Sequence, residues 1–333
     1  MDRRLNRVTD AKMDFFGFFE KLIAQSQSGV RLNPQSSKPI TVNTIKTYAT
    51  TLRHLREFCT ARRKKIDFKD INLAFYGEYT EYLMMTAKLS TNTIGKHIQI
   101  IKLIINESLE MGFNTNIAHK SRRFVVLREK SDSIYLNKVE LDELEQVDLS
   151  GRPKLERVRD LFLVGCYTGL RYSDYSVLKP ENIRDGLIEI TQVKTNDPVV
   201  IPLHDAVLRI MARYGGQLPK SFSNQKTNHY LKDLGELTPC LSKEVVRSFT
   251  KEGKRQQMRY TKWELLTTHT ARRSFATNEY LAGTPTLTIM AITGHKTEKA
   301  FLRYIKLVSS DHAKLLKAHW ERRKLESKLT VET

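Results

Sequence analysis

Apolar positions early in the chain recur every three to four residues, the period of helices that bury one face. Over 14–26, Phe15, Phe16, Phe19, Leu22 and Ile23 fall on one stripe. A polar, proline-bearing loop is predicted over 29–40. Thr41 can then cap a second helix, with Ile45, Tyr48, Leu52, Leu55 and Phe58 on its inner face. A third helix is predicted over about 70–85. Ser90 or Thr91 caps a fourth, which buries Ile94, Ile98, Ile101, Ile105 and Leu109 and stops before Gly112. The pattern predicts a domain of short helices over 1–115, with almost no strand.

The helical period lapses over 116–136, where Lys120, Arg122, Arg123, Arg128 and Lys130 mark a basic linker. A second domain is predicted over 137–333. Asn137 opens a helix whose first turns carry Glu140, Asp142 and Glu143, where the helix dipole favours acids. An apolar helix over 153–168 ends before Gly169. Asp185-Gly186 is a hairpin turn between 182–184 and 187–190, and Thr195-Asn196-Asp197-Pro198 turns the chain again before 199–202. Helices are predicted near 204–214, 224–236, 270–282, 286–293, 297–305 and 310–328. Within 240–268 the chain reads either as a hairpin around Gly253, pairing 244–250 with 258–261, or as an exposed loop. The fold class is mainly α with a small antiparallel β-sheet, an α+β second domain behind a helical first one.

Charge changes the picture. The 333 residues hold 56 Lys and Arg against 37 Asp and Glu, a net charge of +19 shared by both halves. Such an excess costs self-repulsion and points to a polyanion, either nucleic acid or an anionic membrane. No apolar run approaches the roughly 18 residues of a spanning helix. The cluster Phe15–Phe19 is too short for a signal-peptide core. Three cysteines, Cys59, Cys166 and Cys240, lack paired spacing. They argue against a disulfide framework or a cysteine zinc site and for a reducing cytoplasm. Neither a metal-ligand cluster nor a phosphate-cradling glycine loop is visible in the sequence.

Candidate chemistry lies in the second domain. In Thr168-Gly169-Leu170-Arg171, an apolar helix runs into a glycine, and Arg171 follows at a helix start where N–H groups also face an anion. Asp174, one turn on, is placed to hold that guanidinium; an ordinary surface Arg–Asp pair is the other reading. His269 and Arg272, at i and i+3, share a helix face and suit a phosphate. Gly294 breaks a helix before His295-Lys296-Thr297, and Tyr304 follows about two turns into the next. The run Arg62-Arg63-Lys64-Lys65 is either a solvated helix end or a phosphate-contacting patch.

The order Arg171, His269, Arg272, His295, Tyr304 resembles that of the tyrosine site-specific recombinases, or phage integrases. The matched pieces are Thr168–Arg171, His269–Thr277 and Thr293–His295 leading to Tyr304, within 137–310. More loosely, 14–112 resembles that family's four-helix SAM-like core-binding domain. The resemblance implies site-specific DNA recombination, by integration and excision or by inversion. Strands would be cut through a 3′-phosphotyrosyl intermediate and rejoined, without ATP, metal or other cofactor. It implies Tyr304 as nucleophile and Arg171 and Arg272 as the phosphate clamp. Lys194, on a strand turn, would protonate the leaving 5′-oxygen. His269 would assist the tyrosine or bond a phosphoryl oxygen, His295 would do the latter, and Asp174 matches the family's usual acid. Arg62, Arg63, Lys64, Lys65, Arg122 and Arg123 would contact DNA.

The implied partner is double-stranded DNA, bound by a homotetramer that is monomeric when free. The last helix would dock in trans, and accessory DNA-bending or directionality proteins could join. No membrane is implied, and no arm-binding domain is expected ahead of residue 14. Two alternatives remain open here: a non-catalytic DNA-binding protein of this fold, and a type IB topoisomerase-like relaxing enzyme.

Overall fold

The computed structural model describes residues 13–305 except 35 and 131, together with 307, 311–313, 315–317 and 320–321. They form two compact units. One is the chain before Asp132 together with Ser248–Gln257; the other comprises Asp132–Arg247 and the chain from Met258 on. No described helix is long and apolar enough to cross a membrane.

The first unit is built on α1 (Phe15–Gln27), α2 (Val42–Ala61), α3 (Leu73–Glu81) and α4 (Thr91–Glu110). Asp14 starts α1 by accepting from the Gly17 N–H at 2.8 Å, and Thr41 starts α2. Their apolar stripes meet in a core that includes Phe15, Phe19, Leu55, Phe58, Ile98 and Ile101. The third helix is shorter than the predicted 70–85. Asp67 and Asp70 close a capping box on a separate turn, Phe68–Asp70, and Asn72 caps a new helix through Ala74 and Phe75. A π-helical turn, Tyr82–Thr86, then carries the chain on. The stretch predicted as a linker is no free tether. Phe124 is buried in the first core, whereas Ile134 and Leu136 are buried in the second.

The second unit runs through α5 (Lys138–Gln146), α6 (Pro153–Thr168), α7 (Tyr172–Tyr175), β1 (Ile183–Arg184), β2 (Leu187–Thr191), β3 (Pro198–Pro202), α8 (Asp205–Arg213) and α9 (Asn224–Glu236). It continues through α10 (Thr268–Ala282), α11 (Thr286–Thr293) and α12 (Glu298–Phe301); the strand β4 (Glu244–Lys251) starts in it and β5 (Lys254–Thr261) ends in it, while their Ser248–Gln257 portion belongs to the first unit. The apolar run of α6 is buried from Val158 to Val164 because α8, α9 and α10 all pack on it. The β1-β2-β3 sheet is antiparallel, with Ile188 opposite Ile201 and Ile190 opposite Val199. Asp185 and Gly186 both take positive φ, 48° and 73°, as a two-residue hairpin turn requires. Midway along α6, fully buried Asp160 accepts from Arg159, Arg213 and Tyr214.

Two further expectations change, and a third falls mostly outside the described residues. First, β5 begins at Lys254 rather than Met258, because its first residues are exposed on both faces and leave no apolar alternation to read. Second, the helix predicted over 297–305 stops at Phe301. Phe301 is buried, and the Tyr304 N–H bonds its carbonyl at 2.7 Å, so Tyr304 sits on a turn. Third, most of the helix predicted over 310–328 lies outside the described residues; those described at 311–313, 315–317 and 320–321 are helical.

Gly169 ends α6 with φ 67°, and a Cβ there would lie 2.3 Å from the Phe275 ring on α10. A left-handed alanine costs about 1–2 kcal/mol. Overpacking adds about 1–3 kcal/mol. Gly169→Ala should therefore lower unfolding stability by about 2–5 kcal/mol in urea titration.

Candidate active site

Four segments of the second unit bring the candidate residues together. Arg171 lies at the start of α7, just beyond the Gly169 stop. His269 and Arg272 lie in the first turns of α10. Gly294 ends α11 with φ 62°, which delivers His295, and the turn after α12 presents Tyr304.

The centre is a phenol between two imidazoles. Tyr304 Oη and His269 Nε2 share a hydrogen bond at 2.8 Å. The Tyr304 ring meets the His269 ring edge-on at 5.2 Å and the His295 ring at 4.4 Å. Thr293 Oγ1 donates to the Ile289 carbonyl, so its 2.8 Å contact with His295 Nδ1 is a bond it accepts. That fixes the proton on Nδ1 and leaves Nε2 of a neutral His295 without one.

Arg272 is fully buried, with its guanidinium 5.9 Å from the Tyr304 ring centroid. Nη1 donates to the Gly169 carbonyl at 2.7 Å, while Nε and Nη2 have no partner among the described residues. Burial first, then Arg171, pushes its pKa down to about 10, opposed by Tyr304 and Asp174. It stays cationic at neutral pH. Burial and the surrounding cations act on the imidazoles too. His269 is pushed down to about 4 by burial, then by Arg273, Arg272, Arg171 and Lys194. His295 is pushed down to about 4 by burial, then by Arg272, Arg171 and His269. Both rings are therefore neutral at pH 7.

Lys194 stands exposed on the turn between β2 and β3. Asp174 does not hold Arg171, as the sequence suggested. It is buried, and its Oδ1 accepts the Val193 N–H at 2.9 Å, which anchors the Lys194 turn instead. A carboxylate that reaches a backbone N–H nineteen positions on is invisible to sequence spacing. Arg171 instead donates to Gln192, a residue the motif order did not flag. Its signal was faint: Gln192 continues the face of Ile188 and Ile190 at period two, a polar side chain where an apolar one is expected.

The basic candidates of the first unit lie on its surface. Arg62 pairs with Glu81 at 3.5 Å and Lys64 with Glu78 at 2.6 Å. Arg63, Lys65, Arg122 and Arg123 are exposed. Among the described residues no group of three or more His, Cys, Asp and Glu side chains is arranged to hold a metal ion.

Two arginines, two neutral imidazoles and a tyrosine on a mainly helical frame are groups that could serve phosphoryl transfer to a phenol. Comparison with known proteins agrees. Residues 135–310 match the phage integrase family, and 14–122 match the phage integrase SAM-like domain. The chain belongs to the phage integrase family and is a tyrosine recombinase, an enzyme of site-specific DNA recombination.

Solved structures share the fold. The Tn1549 transposon integrase in complex with a circular intermediate DNA is 16% identical, with 93% of this chain and 99% of that chain covered and a TM-score of 0.66. A lambda integrase dimer bound to a COC′ core site is 15% identical, with 88% and 77% covered and a TM-score of 0.62. XerH recombinase bound to palindromic difH substrate is 15% identical, with 94% and 98% covered and a TM-score of 0.62. A comparison with curated proteins found no match.

The imidazole shifts have a measurable sign. Because the folded values lie below the unfolded value of about 6.5, unfolding takes up protons between the two. The stability contributed by His269 and His295 is present above pH 6.5 and lost as pH falls through about 4. In the DNA-free protein, NMR titration should place both imidazoles near 4, and the urea midpoint should fall over that window.

Proposed function

We propose that Tyr304 attacks a DNA phosphodiester in line and forms a 3′-phosphotyrosyl bond, with expulsion of the 5′-hydroxyl. Attack by the 5′-hydroxyl of another strand reverses the step, so the bond energy is conserved and no nucleotide is consumed. Arg171 and Arg272 grip the non-bridging oxygens, for which a guanidinium is a bidentate match. His269 Nε2 accepts the phenol proton, Lys194 protonates the leaving 5′-oxygen, and His295 serves a phosphoryl oxygen. Asp174 acts at one remove by anchoring the Lys194 turn.

One observation carries this reading: the 2.8 Å bond from Tyr304 to a neutral His269, beside a buried guanidinium with two unpaired nitrogens. A buried cation lacking partners is stabilised by an incoming anion. The net charge of +19 supports duplex DNA as that anion. Exposed Arg63, Lys65, Arg122 and Arg123 are proposed to contact DNA, and Arg62 and Lys64 to do so by exchanging their carboxylates for phosphates. The acting form is proposed to be a homotetramer on DNA, monomeric when free, in the cytoplasm, with accessory bending or directionality proteins.

Covalent capture tests the chemistry. The protein is mixed with sheared DNA from its source genome and stopped in hot detergent, and the attached DNA is sequenced. Wild type should retain a defined site. Tyr304→Phe should retain none while binding the same DNA equally well, and cleavage by that variant would place the nucleophile elsewhere. Arg171→Ala should lower the cleavage rate by about 10²–10³-fold, the usual cost of one transition-state donor. Loss of binding in proportion would mark Arg171 as a docking residue.

A further inference from the structure

Gln192 is fully buried and touches two of the four segments that build the site, the start of α7 and the end of α11, as well as the turn that carries Lys194. Its Oε1 accepts from Arg171 Nη1 and, at 3.2 Å, from Thr195 Oγ1. Its Nε2 donates to the Ile292 carbonyl at 3.1 Å, in the last turn of α11. Its own backbone closes the turn that carries Lys194: the N–H donates to the Asp197 carbonyl at 2.9 Å, and the carbonyl accepts from the Asn196 N–H at 2.8 Å. The backbone before His295 comes so near that a Cβ on Gly294 would lie 2.6 Å from Oε1. All of its polar side-chain atoms are thus bonded, each to a different part of the site.

We infer that Gln192 is a positioning residue that aims the Arg171 guanidinium while leaving its charge intact, with the Lys194 turn and the end of α11 as its anchors. The inference rests on the catalytic reading of Arg171. The chemistry of the amide carries it. A guanidinium has five donors in a rigid fork, so one bond to Oε1 fixes its plane and leaves four donors for phosphoryl oxygens. A carboxylate at the same place would orient the fork equally well. It would also neutralise it and compete with the phosphate for it. An amide is the one side chain of this shape that accepts from Arg171, donates to Ile292 and adds no charge.

Single-turnover cleavage of the captured genomic site separates aim from stability. Gln192→Leu removes the acceptor at similar volume. Its cleavage rate constant should fall about 100-fold, the cost of a misplaced reacting group. Its affinity for the same DNA at fixed salt should stay within about threefold of wild type. A purely structural role would instead reduce the amplitude of cleavage, as folded protein is lost, and leave the rate constant unchanged; that result overturns the inference. Gln192→Glu covers the case in which Leu prevents folding. It keeps an acceptor oxygen for Arg171, and its rate constant should still fall at least about tenfold through neutralisation of the clamp. A wild-type rate from Gln192→Glu overturns the inference. The two levels of failure are distinct. If Arg171→Ala cleaves as wild type does, the catalytic reading of Arg171 falls. If Arg171→Ala is inactive and Gln192→Leu cleaves normally, only the role of Gln192 falls.

Discussion

Burying the Arg272 guanidinium is the constraint on which the site depends. A charge removed from water costs several kcal/mol unless partners replace the solvent. Here one nitrogen has the Gly169 carbonyl, and two have no partner among the described residues. The compensation comes from the Tyr304 hydroxyl and then from Asp174, itself buried with Oδ2 unpaired, which oppose the loss of charge. The field left over acts on its neighbours. Burial does most to hold both imidazoles neutral, and Arg272 and Arg171 add to it, with Arg273 also acting on His269, whose Nε2 is the nitrogen hydrogen-bonded to the phenol.

The same constraint explains the two glycines of the motifs. Each ends a helix in the left-handed region, and each also admits a side chain from a distant segment. Gly169 offers its carbonyl to Arg272 while Phe275 lies over the place a Cβ would take. At Gly294, Gln192 Oε1 lies over the place a Cβ would take, while its Nε2 donates to the nearby Ile292 carbonyl. Segments more than a hundred residues apart in sequence are therefore locked together through positions that carry no side chain. That is why short tetrapeptides hold so much of the geometry.

What the sequence made legible follows from this. The helices of the first unit announced themselves through apolar period, and α2 also through its cap, because Thr41 bonds its own first turn; in the second unit Asn137 does so for α5. The Asp185-Gly186 turn was legible because few residue pairs tolerate two positive φ angles. Arg171, His269, Arg272, His295 and Tyr304 were found by order, and the structure brings them into one cluster, although their roles remain a proposal. The misses share one physical cause, a partner far away in sequence. Asp174 bonds Val193, Gln192 bonds Arg171, and β5 gains its ladder from β4 without an apolar face of its own. Tyr304 left its expected helix because buried Phe301 anchors the preceding residue while the chain tightens into a turn.

The neutral histidines pose a problem that the proposed reaction resolves. An imidazole with pKa about 4 is a weak base for a phenol, whose ordinary value is about 10. It is weak because burial and the arginine field disfavour its cationic form. A phosphodiester lodged between Arg171 and Arg272 cancels part of that field, and the extra negative charge of the transition state cancels more. His269 thus gains basicity only as the phosphoryl charge develops. His295 follows the same logic. Thr293 holds its proton on Nδ1, so Nε2 can donate to a phosphoryl oxygen only as imidazolium, a form the phosphate itself favours. A base that is suppressed without substrate and strengthened by it would act only once DNA is bound. Burial does most to suppress that base, and the cations that would clamp the phosphate supply the part of the suppression that an arriving phosphate would relieve.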